Sequence, residues 1–321
     1  INSAYITNLP LETILNDLEF QVLSLTNEVK TQKISSSSEL LSNIFLDLQQ
    51  KSSGRVLSGI SSGFYDLDSF TQGFQKSDLI VIAGRPSMGK TALSLNIGLN
   101  IIKNLNLPVL FFSLEMSKEQ LTYRLLLHET DIDNNRLKTG NLYKDDWVKL
   151  NNIIQNFSTL PFFIDDTPNP SIQDIKSKIK KIIFEQTQIG LIVIDYLQLM
   201  QNSKFSTSNR TQELSQITRS LKNLAREFQV PIIALSQLSR NVESRTNKRP
   251  ILSDLRESGS IEQDADLVLM LYRESYYNTT LINPDDEQSN LVELIIAKQR
   301  NGPIGTIKLG FDAKRTKFIN Q

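Results

Sequence analysis

The chain has 321 residues with 35 basic and 35 acidic side chains, so its net charge gives no indication of a nucleic-acid partner. It has no cysteine, which excludes disulfides, thiolate catalysis and cysteine-based metal sites. Its length and its 39% hydrophobic content suit one large α/β domain with an appendage. No apolar run reaches the roughly 18 residues that a membrane span needs, so we expect no membrane partner. Because the chain begins with Ile1 and not Met, we expect a fragment or a processed product.

The first 60 residues are predicted to hold two helices, over residues 10–30 and 39–51, with a serine-containing polar stretch between them. Ser38 is the predicted N-cap of the second helix. That helix carries an apolar stripe, formed by Leu40, Leu41, Ile44, Phe45 and Leu48. The stripe must be buried on its own domain or on a neighbouring copy, which polar segments on either side would let it reach.

From residue 60 onward, apolar runs typical of strands alternate with helical patterns. The runs are 79–83, 109–113, 191–194, 232–236 and 267–272. This alternation predicts a mainly parallel sheet with helices on both faces. Two last runs, 291–297 and 305–311, stand on either side of Asn301, Gly302 and Pro303 and predict a terminal hairpin.

A glycine-rich segment joins the first strand to a helix predicted from residue 92 to about 100. Its residues are Gly84, Arg85, Pro86, Ser87, Met88, Gly89, Lys90 and Thr91. Such a loop turns its backbone N–H groups toward the β- and γ-phosphates, and the helix N-terminus adds its dipole. Lys90 would reach the terminal phosphates, and the Thr91 hydroxyl would bind Mg²⁺. The segment therefore predicts nucleoside triphosphate binding; the alternative is a glycine-containing turn in another α/β protein.

Polar residues follow three of the predicted strands, where ligands of open parallel sheets collect. Glu115 is placed to orient or deprotonate an attacking water, and Asp195 is placed to bind Mg²⁺ directly or through water. Gln237 is placed to contact the γ-phosphate and to report its loss to the loop that follows. Capping or surface roles remain the alternative for each of these residues.

Two groups of basic residues lie later in the chain. Residues 240–256 hold five cations against two carboxylates, which favours contact with a nucleic-acid backbone over a merely solvated loop. Lys298 and Arg300 are two residues apart without a carboxylate nearby in sequence, so on a strand end both would lie on one face. They are predicted to reach a neighbouring subunit's γ-phosphate as an arginine finger and companion lysine, with a surface pair as the alternative.

Together these segments closely resemble the replicative DNA helicases of bacteria and plastids, the DnaB family. The resemblance is carried by residues 84–91, 112–116, 194–198, 235–240, 254–266 and 298–303, and it covers the chain from about residue 60 to its end. It implies a RecA-like P-loop NTPase core, residues 60–321, that forms a homohexamer around single-stranded DNA and moves 5′ to 3′ by hydrolysing ATP with Mg²⁺. Residues 34–59 resemble that family's helical linker, and residues 1–33 resemble the end of its N-terminal collar.

The resemblance assigns roles residue by residue. Lys90 and Thr91 serve phosphate and Mg²⁺, Asp195 serves Mg²⁺, and Glu115 is the catalytic base. Gln237 couples nucleotide to DNA, and Lys298 with Arg300 act across a subunit interface. The predicted DNA-facing positions are Arg256, Glu257 and Gly259.

Two other functions remain open at this point. A nucleotide-gated assembly or loading factor would need neither a catalytic base nor residues acting across an interface, and a RecA-type recombinase would not be expected to carry the segment around Arg256 in this form. The resemblance also implies a primase and a helicase loader as partners. Prominent Lys, Asn, Ile and Ser suit an AT-rich genome, which favours a plastid stroma or nucleoid over a bacterial cytoplasm.

Overall fold

The computed structural model describes residues 57–130, 132, 134–197, 210–277 and 290–321, together with residues 37, 38, 41, 42, 45 and 49. For residues 134, 138, 210, 211 and 256–260 it describes the backbone alone. The chain divides into two compact units, residues 1–56 and 57–321. The helix predicted over residues 10–30 lies outside the described part.

The described residues of the first unit are helical. Ser37 is already helical, and the Ser42 hydroxyl donates to the Ser38 carbonyl at 2.9 Å, one helical turn away. The prediction of Ser38 as the N-cap is therefore wrong, because Ser38 lies within the helix. Two residues of the predicted stripe, Leu41 and Phe45, are 65% and 61% exposed.

The second unit is built on a nine-stranded sheet in the order β3-β2-β4-β5-β1-β6-β7-β8-β9. Strands β1 to β6 pair in parallel, and β7, β8 and β9 add an antiparallel extension. The mainly parallel sheet and the terminal hairpin are both confirmed. The bounds are β1 Leu79–Gly84, β2 Val109–Ser113, β3 Phe162–Asp165, β4 Leu191–Asp195, β5 Ile232–Gln237, β6 Leu267–Tyr272, β7 Leu291–Gln299, β8 Gly305–Asp312 and β9 Lys317–Asn320.

Helices cover both faces of this sheet. The α-helices in the described part are α1 Tyr65–Thr71, α2 Lys90–Leu105, α3 Lys118–Glu129, α4 Asn134–Thr139, α5 Lys144–Ser158, α6 Ile172–Gln186, α7 Arg210–Phe228, α8 Gly259–Asp264 and α9 Glu274–Tyr277. Two 3₁₀ helices, Arg240–Val242 and Leu252–Ser258, lie between β5 and α8. None of the helices in the described ranges is both long and apolar enough to cross a membrane.

Two apolar cores form because successive strand residues point to opposite faces. In β1, Ile80 and Ile82 pack in the core that contains α2, whereas Leu79 and Val81 pack in the core that contains α6 and α7. All six residues of β1 are buried. Helices on both faces explain why the central strands have continuous apolar sequences instead of alternating ones.

The last strand, β9, connects the antiparallel end of the sheet to α2. The Phe318 amide in β9 donates to the buried Asn96 side chain of α2 at 2.8 Å, and the Phe311 and Phe318 rings lie 4.9 Å apart. This strand and β3 are absent from the sequence-based prediction. Both have only four residues, and β3 is half-buried at the edge of the sheet, so neither has a long apolar run.

Candidate nucleotide-binding and hydrolysis site

A cleft of about 990 Å³ opens at the carboxyl edge of the parallel strands. The phosphate loop, the turn after β2, helix α3, the ends of β4 and β5, and the β8–β9 turn contribute to its walls. The lining residues include Pro86, Ser87, Gly89, Lys90, Thr91, Glu115, Tyr123, Arg124, Asp195, Gln237, Phe311 and Thr316. A cleft of this volume has the size of a small-molecule binding site.

The phosphate loop has the strand-loop-helix geometry that its sequence predicts. Gly89 has a φ of 98°, a left-handed conformation that favours glycine, and it caps α2. A side chain at Gly89 would also lie 3.0 Å from the Phe318 ring of β9. Gly84, Arg85 and Met88 are not among the cleft-lining residues, and Met88 is buried in the α2 core. A nucleotide contact by these three residues stays a prediction.

Lys90 is held by the loop that it follows. Its ammonium donates to the carbonyls of Gly84 at 2.9 Å and Arg85 at 3.2 Å. Burial lowers the pKa of Lys90, and the negative charges of Asp195 and Glu115 oppose that shift. The lysine lines the cleft, where its positive charge would complement a triphosphate.

Thr91 and Asp195 are in direct contact, with the Thr91 hydroxyl donating to the Asp195 carboxylate at 2.7 Å. Burial raises the pKa of Asp195 to about 6, and the nearby Glu115 charge adds to the increase. The Thr91 hydrogen bond and the Lys90 charge act in the opposite direction. A buried carboxylate without a cation is costly, so this pair has the chemistry of a Mg²⁺ site. In the part of the chain that the structure describes, no group of three or more His, Cys, Asp and Glu side chains is arranged to hold a metal ion.

Glu115 and Gln237 lie at the same edge of the sheet. Glu115 is exposed in the turn after β2, and its charge acts on both Lys90 and Asp195. Gln237 is the last residue of β5 and is paired in register with Gly84 of the phosphate loop. The cleft thus contains the predicted base, the predicted Mg²⁺ ligands and the predicted γ-phosphate sensor together.

One wall of the cleft has no counterpart among the predicted site residues. Helix α3 contributes Tyr123 and Arg124, strand β8 contributes Phe311, and the β8–β9 turn contributes Thr316. The Arg124 charge acts on Asp195 and favours its ionised form. A polar face on the helix after Glu115 could have indicated the arginine, whereas β8 and β9 approach from a distant part of the chain.

The basic segment after β5 is more constrained than its sequence indicates. Arg245 pairs with Asp254 at 2.6 Å, and Arg249 pairs with Glu293 of β7. Lys248 lies over the Tyr277 ring, at 4.8 Å from its centroid. Several of its cations are therefore held by side chains of this chain, some of them distant in sequence. Arg256 and Glu257 lie within the second 3₁₀ helix and Gly259 begins α8, but their side chains are outside the described part.

Lys298 and Arg300 lie at the opposite edge of the sheet from the phosphate loop. Strand β7 runs antiparallel to β6, so Lys298 is paired with Val268 near the beginning of β6. The Lys298 ammonium donates to the carbonyl of Ala265 at 2.8 Å, and Arg300 donates to that of Gln263 at 2.7 Å.

Arg300 also pairs with Asp266 at 3.1 Å, a carboxylate partner that sequence spacing did not indicate. About four residues of strand, or roughly 13 Å, separate this edge from the carboxyl edge. The two cations therefore do not reach the cleft of their own chain.

The strand order, the loop at the end of a central parallel strand and the Thr91–Asp195 pair define a class of protein. This is a P-loop nucleotide-hydrolysing enzyme with a RecA-like core.

Comparison with known proteins gives the family. Residues 59–320 match the family model described as DnaB-like helicase C terminal domain. A probable replicative DNA helicase of Trieres chinensis is 70% identical over 320 residues, which cover 100% of this chain and 70% of that protein. The replicative DNA helicase DnaB of Geobacillus stearothermophilus is 46% identical over 97% of this chain and 67% of its own length.

Solved structures agree with these relatives. One of them, an ATPase domain, is 40% identical, with a TM-score of 0.83, over 89% of this chain and 99% of that chain. Another, a DnaB-like replicative helicase described with its interactions with primase, gives a TM-score of 0.80 at 40% identity, over 89% of this chain and 67% of that chain. The chain belongs to the DnaB-like family of replicative DNA helicases, which are ATP-dependent enzymes.

Proposed function

We propose that this chain is the motor of a ring-shaped homohexamer that moves 5′ to 3′ on single-stranded DNA and separates duplex DNA at a replication fork. The observation that carries the proposal is that the predicted catalytic residues lie at two opposite edges of one sheet. The cleft holds Lys90, Thr91, Glu115 and Asp195, whereas Arg300 lies at the far edge. A complete hydrolysis site then needs two subunits.

Each residue of the cleft has a distinct part in ATP hydrolysis. Lys90 leaves its carbonyl partners to contact the β- and γ-phosphates, and the loop amides hold the same anion. Thr91 and Asp195 would hold Mg²⁺, which would supply positive charge beside the phosphates. Glu115 orients the attacking water and accepts its proton.

The residues at the far edge complete the site of the next subunit. Arg300 extends from Asp266 to the neighbouring γ-phosphate, where its charge stabilises the transition state, and Lys298 assists it. This arrangement makes turnover depend on assembly. It also favours a motor over a nucleotide-gated loading factor, because a simple switch needs neither the base nor the finger.

Single-stranded DNA is expected to contact the segment that begins after Gln237. Arg256, Glu257 and Gly259 are the proposed DNA-facing positions, and the preceding cations contact phosphate without reading sequence. Gln237 is continuous with this segment and lies at the cleft, so it is placed to couple nucleotide state to DNA grip. A recombinase would share the cleft but is not expected to carry this segment in the same form.

The wider assembly is part of the same proposal. The residues before 60 serve as the end of a collar and as a linker helix, and the exposed Leu41 and Phe45 pack on a neighbouring copy. Primase and a helicase loader are the expected partners, consistent with the primase interactions described for the DnaB-like structural relative. The resemblance to the Trieres chinensis protein favours a plastid over a bacterial cytoplasm.

The decisive experiment measures ATP turnover and strand displacement on the same preparation. The chain should form six-membered rings by native mass spectrometry, and single-stranded DNA should stimulate its ATPase. A forked duplex with a 5′ single-stranded tail should be unwound only with ATP and Mg²⁺. The variant Lys90→Ala is the control for adventitious activity, and full ATPase activity in that variant would refute the assignment. Filaments with strand exchange would instead indicate a recombinase.

A further inference from the structure

The side chain of Arg85 points out of the phosphate loop toward the segment after β5. Although Pro86 and Ser87, the next two residues of the loop, line the cleft, Arg85 is only 7% exposed and is absent from that lining. Its guanidinium donates to the Leu238 carbonyl at 2.9 Å and to the Glu243 carboxylate at 2.8 Å. These contacts connect two segments that are about 150 residues apart in sequence, where a phosphate ligand would be expected to face the cleft.

Backbone hydrogen bonds also connect the phosphate loop to the segment after β5. The Leu238 amide donates to the Gly84 carbonyl at 3.3 Å. The same carbonyl accepts from the Lys90 ammonium at 2.9 Å. The Arg85 carbonyl also accepts from Lys90, at 3.2 Å. A phosphate that draws Lys90 away therefore changes the hydrogen bonds of both Gly84 and Arg85.

The segment that Arg85 holds is itself cross-linked by hydrogen bonds. The Ser239 amide donates to the Asp254 carbonyl at 3.0 Å, and the Glu243 amide donates back to the Arg240 carbonyl at 3.0 Å. Val242 is buried in the α6–α7 core. Asp254 belongs to the second 3₁₀ helix, Leu252–Ser258, which also contains positions 256 and 257. A displacement at Leu238 or Glu243 is thus passed to that helix by contacts and not only by the covalent chain.

We propose that the Arg85–Glu243 ion pair links the phosphate loop to residues 238–258 and makes both side chains positioning residues for nucleotide-dependent DNA binding. The inference rests on the proposed DNA contact of the segment around Arg256. It adds a second route beside Gln237, since the pair runs through a loop residue and not through the end of β5. Neither side chain needs to touch ATP or DNA.

The test uses the full chain and a matched pair of variants. Glu243→Gln removes the charge that Arg85 contacts, and Glu227→Gln removes the partner of Lys176. Both ion pairs are 2.8 Å long, and the two glutamate side chains are 43% and 44% exposed, so the two substitutions are matched in pair distance and in glutamate exposure. The partners differ, because the Arg85 side chain is 9% exposed and the Lys176 side chain is 37% exposed. Melting temperature checks the fold of each variant.

Two readouts distinguish a link from a purely structural contact. The first is hydrogen–deuterium exchange of residues 238–258 with and without a non-hydrolysable ATP analogue and Mg²⁺. The second is the ratio of affinities for fluorescent oligothymidine in the analogue and in ADP. Glu243→Gln should remove the exchange response and reduce the affinity ratio by about two- to fivefold, as expected for a partly exposed ion pair. Glu227→Gln should match the wild type in both.

A double-mutant cycle guards against an indirect effect. With Arg85→Gln already present, Glu243→Gln should have no further effect on the exchange response, because the pair acts as one unit. Additive effects, or an unchanged exchange response in Glu243→Gln, would overturn the link.

Arg256→Ala separates this result from the proposed function. If DNA binding is unchanged in that variant while Glu243→Gln still loses the exchange response, the DNA contact is wrong and the link stands.

Discussion

The substitution Asp195→Asn should stabilise the nucleotide-free protein while abolishing its activity. Asparagine has nearly the same shape and can still accept the Thr91 hydroxyl, but it has no charge to desolvate. Burial raises the pKa of Asp195 from 3.8 to about 6, so the folded protein favours its neutral form. This contribution to stability is fully present below pH 4 and is lost as the pH rises through 6.

The difference between the two pKa values corresponds to roughly 3 kcal/mol at neutral pH. The pKa of about 6 already includes the attraction of Lys90 for Asp195, so we expect the variant to be more stable by up to about 3 kcal/mol at pH 7.5. At pH 5 the advantage should decrease to about half. Below pH 4 it should disappear, because both side chains are then neutral.

Urea unfolding of wild type and variant at pH 7.5 and pH 5, without nucleotide, measures both quantities. A second series with ATP analogue and Mg²⁺ should stabilise the wild type much more than the variant, since the variant lacks a cation ligand. A variant that is less stable at pH 7.5, or one whose advantage is the same at both pH values, would refute the reasoning. The matched control is Asp165→Asn, which lies at the equivalent end of β3 but is paired with Lys178.

Three further predictions concern hydrolysis and DNA. Glu115→Gln should lower ATP turnover by roughly 10²-fold or more while nucleotide binding persists, and lost binding would instead assign Glu115 a structural role. Arg256→Ala should weaken binding of all single-stranded sequences alike and reduce the salt slope by about one ion, whereas an unchanged slope would indicate no phosphate contact. Arg300→Ala should lower turnover by about 10³-fold with assembly intact, and mixing it with Lys90→Ala subunits should restore some activity. No recovery in mixed rings that assemble normally would contradict action across the interface.

The central strands and the carboxyl-edge residues could be predicted because two physical rules determine them. Strands covered on both faces are apolar throughout, as β1 and β4 are, and their ends gather polar residues such as Asp195 and Gln237. Short strands at the edge of the sheet do not show the continuous apolar pattern. In β9 only Phe318 is buried, so in the sequence its four residues resemble a polar chain terminus. The hydrogen bond from the Phe318 amide to the Asn96 side chain is visible only in the structure.

The direction of a side chain within a loop could not be predicted. Sequence places Arg85 in the phosphate loop, but its contacts with Leu238 and Glu243 depend on how β1 and β5 pair. The same is true of Arg300, whose carboxylate partner Asp266 becomes its neighbour only when β7 folds back on β6. These contacts join distant segments, and local patterns carry no signal for them.

The placement of Arg300 at one edge of the sheet and the cleft at the other has a consequence for the symmetry of the assembly. A two-fold dimer can bring the two edges together only reciprocally, and it then completes two sites and adds no further subunit at that interface. Head-to-tail contacts instead place the far edge of each subunit on the cleft of the next, and they either close into a ring or continue as a helical filament. In a closed ring every cleft receives an arginine, whereas an open array always leaves one terminal cleft without it. If Arg300 acts as proposed, opening such a ring to admit a DNA strand would also silence one of its sites.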